Sequence, residues 1–202
     1  MQDNFIFHKF FNDYEKNNEE LSKLFVEKEF QLKSDADNRM KGYQTWNDLY
    51  NIFQFNHKSI NWLGEELYDF IIENYPDLNN HYIHAWFNVL DINETLPWHT
   101  HSKRFGECEK DVTTLSGHYM VDTEPSFTIY KYDDGKEFKI KTKNGRCSIF
   151  NSDLRHKTDF RKKGLRISVA FDIVPKTNCT KGKVLYKISD LKLDDDWWKT
   201  NE

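Results

Sequence analysis

Cysteine is scarce in this sequence, and the three cysteines present are widely spaced. Cys108, Cys147 and Cys179 form no C-x-x-C pair, which argues against a zinc site built on thiolates. Their odd number and wide spacing are typical of free thiols in a reducing compartment.

Long apolar runs are missing as well. No stretch approaches the roughly 20 apolar residues that a helix needs to span a bilayer, and residues 1–11 lack the apolar core of a signal peptide. The formal net charge of −4 creates no strong overall field towards nucleic acid or an anionic membrane, although a local basic patch is compatible with it. We therefore expect a cytoplasmic protein without a membrane partner. The charge disfavours nucleic acid as a partner but leaves it open.

The composition fits a globular protein with a sizeable core. Hydrophobic residues make up 38% of the 202 residues and charged residues 31%, which suits one domain of this length. We expect a single domain over residues 1–202, with a helical part at 1–78, a β core at 79–176 and an extension at 177–202. The acidic end of that extension, which contains Trp197 and Trp198, either packs on the body or lies free.

Two segments in the first part carry the periodicity of amphipathic helices. Apolar residues at steps of three and four predict helices over 14–33 and 57–74. The second segment is the clearest helix of the chain and ends before Pro76, since the residue ahead of a proline disfavours helical geometry.

After Pro76 the periodicity changes to short β-prone runs with turn residues between them. With two shorter stretches included, about eight strands are predicted, at 81–89, 97–101, 116–122, 126–132, 137–142, 145–150, 154–160 and 165–174. Many short strands that follow helices favour a mainly β fold, namely a jelly roll buttressed by N-terminal helices.

The segment W-H-T-H at 98–101 is the first part of a candidate metal site. His99 and His101 are separated by one residue, and residues i and i+2 of a strand point to the same face, so both imidazoles can reach one ion. His156 follows 55 residues after His101 (156 − 101), just before the last strand, and offers a third ligand from another strand.

Ten residues after His156 (166 − 156), the segment Arg166-Ile167-Ser168 places an arginine and a serine on one face of the final strand. A guanidinium group binds a carboxylate through two parallel hydrogen bonds, and a neighbouring hydroxyl adds another donor. The sequence thus predicts a metal ion with open positions beside a binding site for a carboxylate.

Residues 81–174 resemble the Fe(II)/2-oxoglutarate-dependent oxygenase superfamily, and most of all its small prolyl-hydroxylase-like group with an H-x-H motif. The resemblance covers about half of the chain. Its most specific part is the R-x-S that follows ten residues after the last histidine. It is carried by W-F-N-V-L at 86–90, W-H-T-H at 98–101, S-G-H-Y-M-V at 116–121, S-I-F-N-S-D-L-R-H at 148–156 and R-I-S-V-A-F-D at 166–172.

The resemblance implies a double-stranded β-helix with helices ahead of it. It also implies that His99 and His156 bind iron(II) and that Arg166, assisted by Ser168, binds the distal carboxylate of 2-oxoglutarate. Tyr119 and Asn88 are further candidates for lining the cosubstrate pocket. No catalytic side chain beyond the metal centre is implied. The expected reaction is hydroxylation of a small-molecule or peptidyl substrate, with O2 consumed and succinate and CO2 released.

The second metal ligand departs from the superfamily pattern. Most members have H-x-D or H-x-E, which gives two histidines and one carboxylate on one face of the iron, whereas this chain has His101 at the position of the carboxylate. Three alternatives follow: His101 binds and gives a three-histidine site, a carboxylate such as Glu107 or Asp111 reaches in from the following loop, or the iron has only two protein ligands.

Two other functions are compatible with a jelly roll that carries histidines. A cupin-type metal protein would not use 2-oxoglutarate, but cupins often place a glutamate after three or four intervening residues. Here five residues separate His101 from Glu107, and a cupin does not require Arg166. The other alternative is a non-catalytic binding protein with a vestigial pocket. Substrate identity and oligomeric state are left open by the sequence.

Overall fold

Nine strands and two α-helices build the described part of the chain. The computed structural model describes residues 6–35, 50–101, 115–175 and 184–192. Three short 3₁₀ turns lie at Ile52–Gln54, Pro76–Asn80 and Ile188–Leu191. The helices and strands are β1 (Phe7–Phe10), α1 (Tyr14–Asp35), α2 (Lys58–Asn74), β2 (Tyr82–Leu90), β3 (Leu115–Asp122), β4 (Phe127–Lys131), β5 (Glu137–Lys141), β6 (Arg146–Asn151), β7 (Arg155–Thr158), β8 (Arg166–Val174) and β9 (Tyr186–Lys187).

The strands form two antiparallel sheets. The larger sheet has the order β1-β6-β3-β8-β2-β9, and the smaller sheet has the order β5-β4-β7. From β3 to β8 the chain crosses repeatedly between the sheets, since β3, β6 and β8 belong to the larger sheet and β4, β5 and β7 to the smaller one, as in a jelly roll. This confirms the predicted fold class, a helix-buttressed double-stranded β-helix.

The main hydrophobic core lies between the two helices and one face of the larger sheet. Alternate residues of β8, including Val169 and Phe171, point towards the helices and are fully buried. Phe25 of α1 stacks on Phe87 of β2 at a centroid distance of 4.6 Å, and Leu63 of α2 belongs to the same cluster. Burial of these side chains fixes the helices against the sheet.

The space between the two sheets has a different character. Its hydrophobic cluster is small and consists of Tyr130, Phe150 and Leu154. The remaining residues on this face of the larger sheet include His118 and Ser168, which are buried and polar. Buried polar groups are costly without partners, and their concentration between the sheets marks this space as the candidate site.

Several details differ from the sequence-based expectation. Strands β1 and β9 were not predicted, and both are short. The expected strand at 97–101 is instead an isolated bridge between His99 and His156, since Pro97 has no N–H to extend a ladder. Cys147 is a buried free thiol. Cys108, Cys179 and the tail with Trp197 and Trp198 lie outside the described residues.

Within the described ranges, neither α-helix combines the length and the apolar character that crossing a membrane requires.

Candidate metal centre

Three histidines come together at the edge of the smaller sheet. One ligand atom from each of His99, His101 and His156 lies within 4.8 Å of the others. His99 and His156 exchange two backbone N–H···O bonds of 3.0 Å, and the His101 N–H donates to the Ser152 carbonyl at 2.9 Å. Backbone hydrogen bonds thus fix the positions of all three residues, and their imidazoles converge.

The hydrogen bonds of the three rings leave the same nitrogen available on each. Nδ1 of His99 lies 2.8 Å from the Pro97 carbonyl, and Nδ1 of His156 lies 2.9 Å from the Leu154 carbonyl. A carbonyl only accepts, so Nδ1 carries the hydrogen in both rings and Nε2 keeps its lone pair. Nδ1 of His101 is likewise engaged, by Asp172 at 2.6 Å. Three Nε2 atoms are therefore available to a metal ion.

Asp172, on β8, is a functional candidate that the sequence reasoning missed. Its Oδ1 contacts Nδ1 of His101 and also accepts a bond of 2.7 Å from the Ser116 hydroxyl. Asp172 is 1% exposed and His101 is 6% exposed. A carboxylate behind a metal-binding histidine fixes the ring orientation and makes the ring a more basic ligand. Alternation could have revealed Asp172, because it shares its strand face with Arg166 and Ser168.

Burial keeps two of these rings in the form that binds metals. Desolvation places the pKa of His156 well below its ordinary value, and the neighbouring His99 and His101 lower it further. Desolvation also lowers the pKa of His99. Both rings are therefore neutral at pH 7, and metal binding does not have to displace a proton from them.

A buried arginine side chain lines the cavity beside the histidines. The cavity measures about 400 Å³, and its walls bring Arg166, Ser168 and Asn88 together with the three histidines. Arg166 is 2% exposed and donates to the Ser168 hydroxyl at 3.2 Å. Burial lowers the pKa of Arg166 to about 10, so the guanidinium stays charged at pH 7.

Arg166 has no acidic partner among the residues that the structure describes. Its Nε makes no hydrogen bond there, and neither does the buried Oδ1 of Asn88. A buried charge is strongly unfavourable unless an opposite charge compensates it. The cavity therefore fits an anion with several acceptor oxygens, next to three histidines that could hold a metal ion.

Tyr119 does not belong to this cavity, and the expectation that it lines the cosubstrate pocket is corrected. It points to the helical side of β3, where its ring stacks on Phe11 at 5.1 Å and its hydroxyl donates to Asn18 at 2.6 Å. Its neighbour His118 lines the cavity instead and lies 3.1 Å from the Tyr130 hydroxyl. Alternation places adjacent residues of a strand on opposite faces.

The structure brings together His99, His101, His156, Arg166, Ser168 and Asn88, six of the predicted site residues. Glu107 and Asp111, the alternative carboxylate ligands, lie outside the described residues.

Neither protein-family models nor curated proteins match this chain. Solved structures do match. A prolyl-4-hydroxylase from Pseudomonas putida has a TM-score of 0.63 and 10% identity, over 86% of this chain and 90% of that chain. A collagen prolyl hydroxylase of Paramecium bursaria Chlorella virus-1 has a TM-score of 0.59 and 13% identity, over 86% and 90% of the two chains.

HygX from Streptomyces hygroscopicus, solved with nickel and 2-oxoglutarate bound, has a TM-score of 0.57 and 12% identity, over 86% of this chain and 83% of that chain. The chain thus has the double-stranded β-helix fold that occurs in 2-oxoglutarate- and iron-dependent oxygenases. At identities this low the likeness concerns the fold alone, and the function must be argued from the site.

Proposed function

We propose that this protein is a non-haem Fe(II)- and 2-oxoglutarate-dependent oxygenase that hydroxylates a small-molecule or peptidyl substrate. The observation that carries the proposal is the convergence, in a single cavity, of three Nε2 atoms and a buried guanidinium that has no acidic partner among the described residues. Neither the histidines nor the arginine alone indicates a specific ligand. Together they match a cosubstrate that has a chelating end and a distal carboxylate.

The donor set of this chain fits iron(II). His99, His101 and His156 would hold the ion through Nε2, and imidazole is a ligand that suits iron. Three protein ligands leave positions for a chelating 2-oxo acid and for oxygen. Bound iron(II) with 2-oxoglutarate and O2 supplies oxidation of a substrate C–H bond, coupled to release of CO2 and succinate.

The role of Arg166 would be to bind and orient the distal carboxylate of the cosubstrate. The guanidinium matches a carboxylate in charge and geometry, and the Ser168 hydroxyl beside it adds a donor. The buried Asn88 side chain lies in the same cavity wall. The enclosure of these groups between the sheets keeps water away from the ion pair and strengthens it.

A cupin-type metal protein is the second candidate, because three imidazoles are a common cupin ligand set. A cupin-type protein would bind no 2-oxoglutarate, so the buried charge of Arg166 would have no carboxylate to compensate it. A non-catalytic binding protein would also retain the fold but would require no free Nε2 atoms.

The test is an anaerobic titration with Fe(II) and then 2-oxoglutarate, followed through the visible charge-transfer band of the chelate. We expect a band that requires both components. Arg166→Gln should weaken 2-oxoglutarate binding at least tenfold, on the order of the 1.4 kcal/mol or more expected for a hydrogen bond to a charged group. Arg155→Gln, an exposed arginine on β7, is the matched control and should leave binding unchanged.

The remaining outcomes separate the alternatives. Iron binding without a 2-oxoglutarate band would contradict the oxygenase assignment and favour the cupin-type protein. Absence of iron binding would indicate a non-catalytic module. His156→Ala should abolish iron binding in the oxygenase and in the cupin-type protein alike.

A further inference from the structure

The outer face of the smaller sheet concentrates positive charge. Alternation on β4, β5 and β7 turns Tyr130, Phe138 and His156 inwards, so that their neighbours face outwards. Glu137 is the acidic residue on this face within the three strands. The cations are Lys131, Lys139, Lys141, Arg155 and Lys157.

An indole ring lies among these cations. Trp98 is partly exposed, and its ring centroid lies 4.5 Å from Nζ of Lys157, 5.8 Å from Cζ of Arg155 and 5.9 Å from Nζ of Lys131. We call Trp98 and the five cations the basic face. Phe127, in the middle strand of the same face, is 36% exposed and offers a second aromatic ring.

Most of these charges are not neutralised within the described part of the protein. Lys131 pairs with Glu137 at 3.8 Å, whereas Lys139, Lys141, Arg155 and Lys157 form no ion pair with any described residue. The chain as a whole carries a net charge of −4, so the basic face is opposite in sign to the average surface. Like charges at close range repel each other, and an extended anion would relieve that repulsion.

We propose that the basic face binds single-stranded nucleic acid. Proteins that bind single strands combine cations along the phosphate backbone with aromatic rings on which bases stack, and this face offers both. An acidic peptide would satisfy the charges but would not require the exposed rings. The proposal concerns binding and does not depend on the metal chemistry, although Trp98 directly precedes His99 and so places the bound strand at the cavity rim.

The test is the fluorescence anisotropy of a labelled 20-nucleotide single strand, titrated with the metal-free full chain. We expect binding at 50 mM salt that weakens as salt rises. Contacts with about four phosphates correspond to a slope of about −3 in log affinity against log salt. Lys139→Gln with Lys141→Gln and Lys157→Gln should weaken binding more than tenfold.

The matched control removes the same charge from the helical side, through Lys16→Gln, Lys23→Gln and Lys58→Gln, all at exposed positions. This control should change the affinity less than twofold. Trp98→Ala should weaken binding about fivefold or more through lost stacking, and circular dichroism would verify the fold of each variant.

The proposal is overturned if no salt-dependent binding appears or if both triple variants weaken binding equally. It also fails if Trp98→Ala has no effect, or if a 20-base-pair duplex or polyglutamate of equal charge binds as tightly. Those last results would describe a surface that attracts any polyanion.

Discussion

Asp172 accepts a hydrogen bond of 2.6 Å from Nδ1 of His101, and both side chains are buried. In the facial triad of two histidines and one carboxylate, a carboxylate would bind the metal at the position of His101. In this chain the carboxylate stands one step further back, behind an imidazole. If His101 binds a metal ion, the negative charge would stay near that ion while the ligand atom would be a nitrogen.

Removal of the Asp172 carboxylate should weaken metal binding without abolishing it. We expect Asp172→Ala to lower the affinity for Fe(II) or Co(II) about tenfold to a hundredfold, because the His101 ring loses its orienting partner. Asp172→Asn keeps an acceptor and should lie between Asp172→Ala and the wild type. Anaerobic isothermal titration calorimetry measures the affinity, and thermal unfolding of the metal-free proteins controls for lost stability. Equal affinity in all three proteins would show that Asp172 has only a structural role.

Tyr119→Phe should affect stability rather than cosubstrate binding. The hydroxyl of Tyr119 donates to Asn18 at 2.6 Å in the helical core, and loss of such a bond costs about 1 kcal/mol of unfolding free energy. Urea unfolding measures this cost, and a 2-oxoglutarate titration of the iron-loaded variant should match the wild type. A weaker affinity for 2-oxoglutarate with an unchanged free energy of unfolding would show that Tyr119 contributes to the cosubstrate pocket after all.

The case of Tyr119 shows why sequence spacing locates the site but not all of its members. The candidate metal ligands His99, His101 and His156 and the candidate carboxylate-binding residue Arg166 were predicted from residue spacing and from the family resemblance. For β3 the alternation predicts that His118 and Tyr119 point to opposite faces of the sheet. It does not predict which of the two residues points into the cavity and which points towards the helices. Both faces of β3 are buried, so the polar and apolar pattern that would distinguish them is absent. Asp172 was predictable from its strand face, whereas the short β1 depends on a partner strand far along the chain, as in the pair Lys9–Cys147, which is 138 residues apart (147 − 9).

Gly117 is required by close packing rather than by backbone conformation. A Cβ at this position would collide with the Phe171 ring and lie 2.5 Å from the Ser148 carbonyl oxygen. Gly117→Ala should lower the free energy of unfolding by about 1–3 kcal/mol, the usual cost of overpacking. The comparison is Gly64→Ala in α2, where the nearest atom, the Leu191 carbonyl oxygen, lies at 3.2 Å and the gain in helix propensity opposes the strain. Chemical denaturation should rank Gly117→Ala as the more destabilising change.

The metal-free protein should lose stability in acid because of its buried histidines. Desolvation holds the pKa of His118 well below its ordinary value of 6.5, and nearby His156 and Arg166 lower it further. Below pH 6.5 His118 becomes protonated in the unfolded chain but stays neutral in the folded protein. Protonation therefore favours the unfolded chain, and the stability that is present above pH 6.5 declines as the pH falls.

One such group contributes up to about 1.4 kcal/mol per pH unit to the slope of unfolding free energy against pH. His118→Gln should reduce the wild-type slope between pH 6 and 5 by about that amount, in urea unfolding with a chelator present. His57→Gln is the control, because His57 lies at the N-terminus of α2 and only accepts a backbone bond there. An unchanged slope in His118→Gln would mean that His118 is protonated in the folded protein, and the Tyr130 hydroxyl would then have to accept its hydrogen bond.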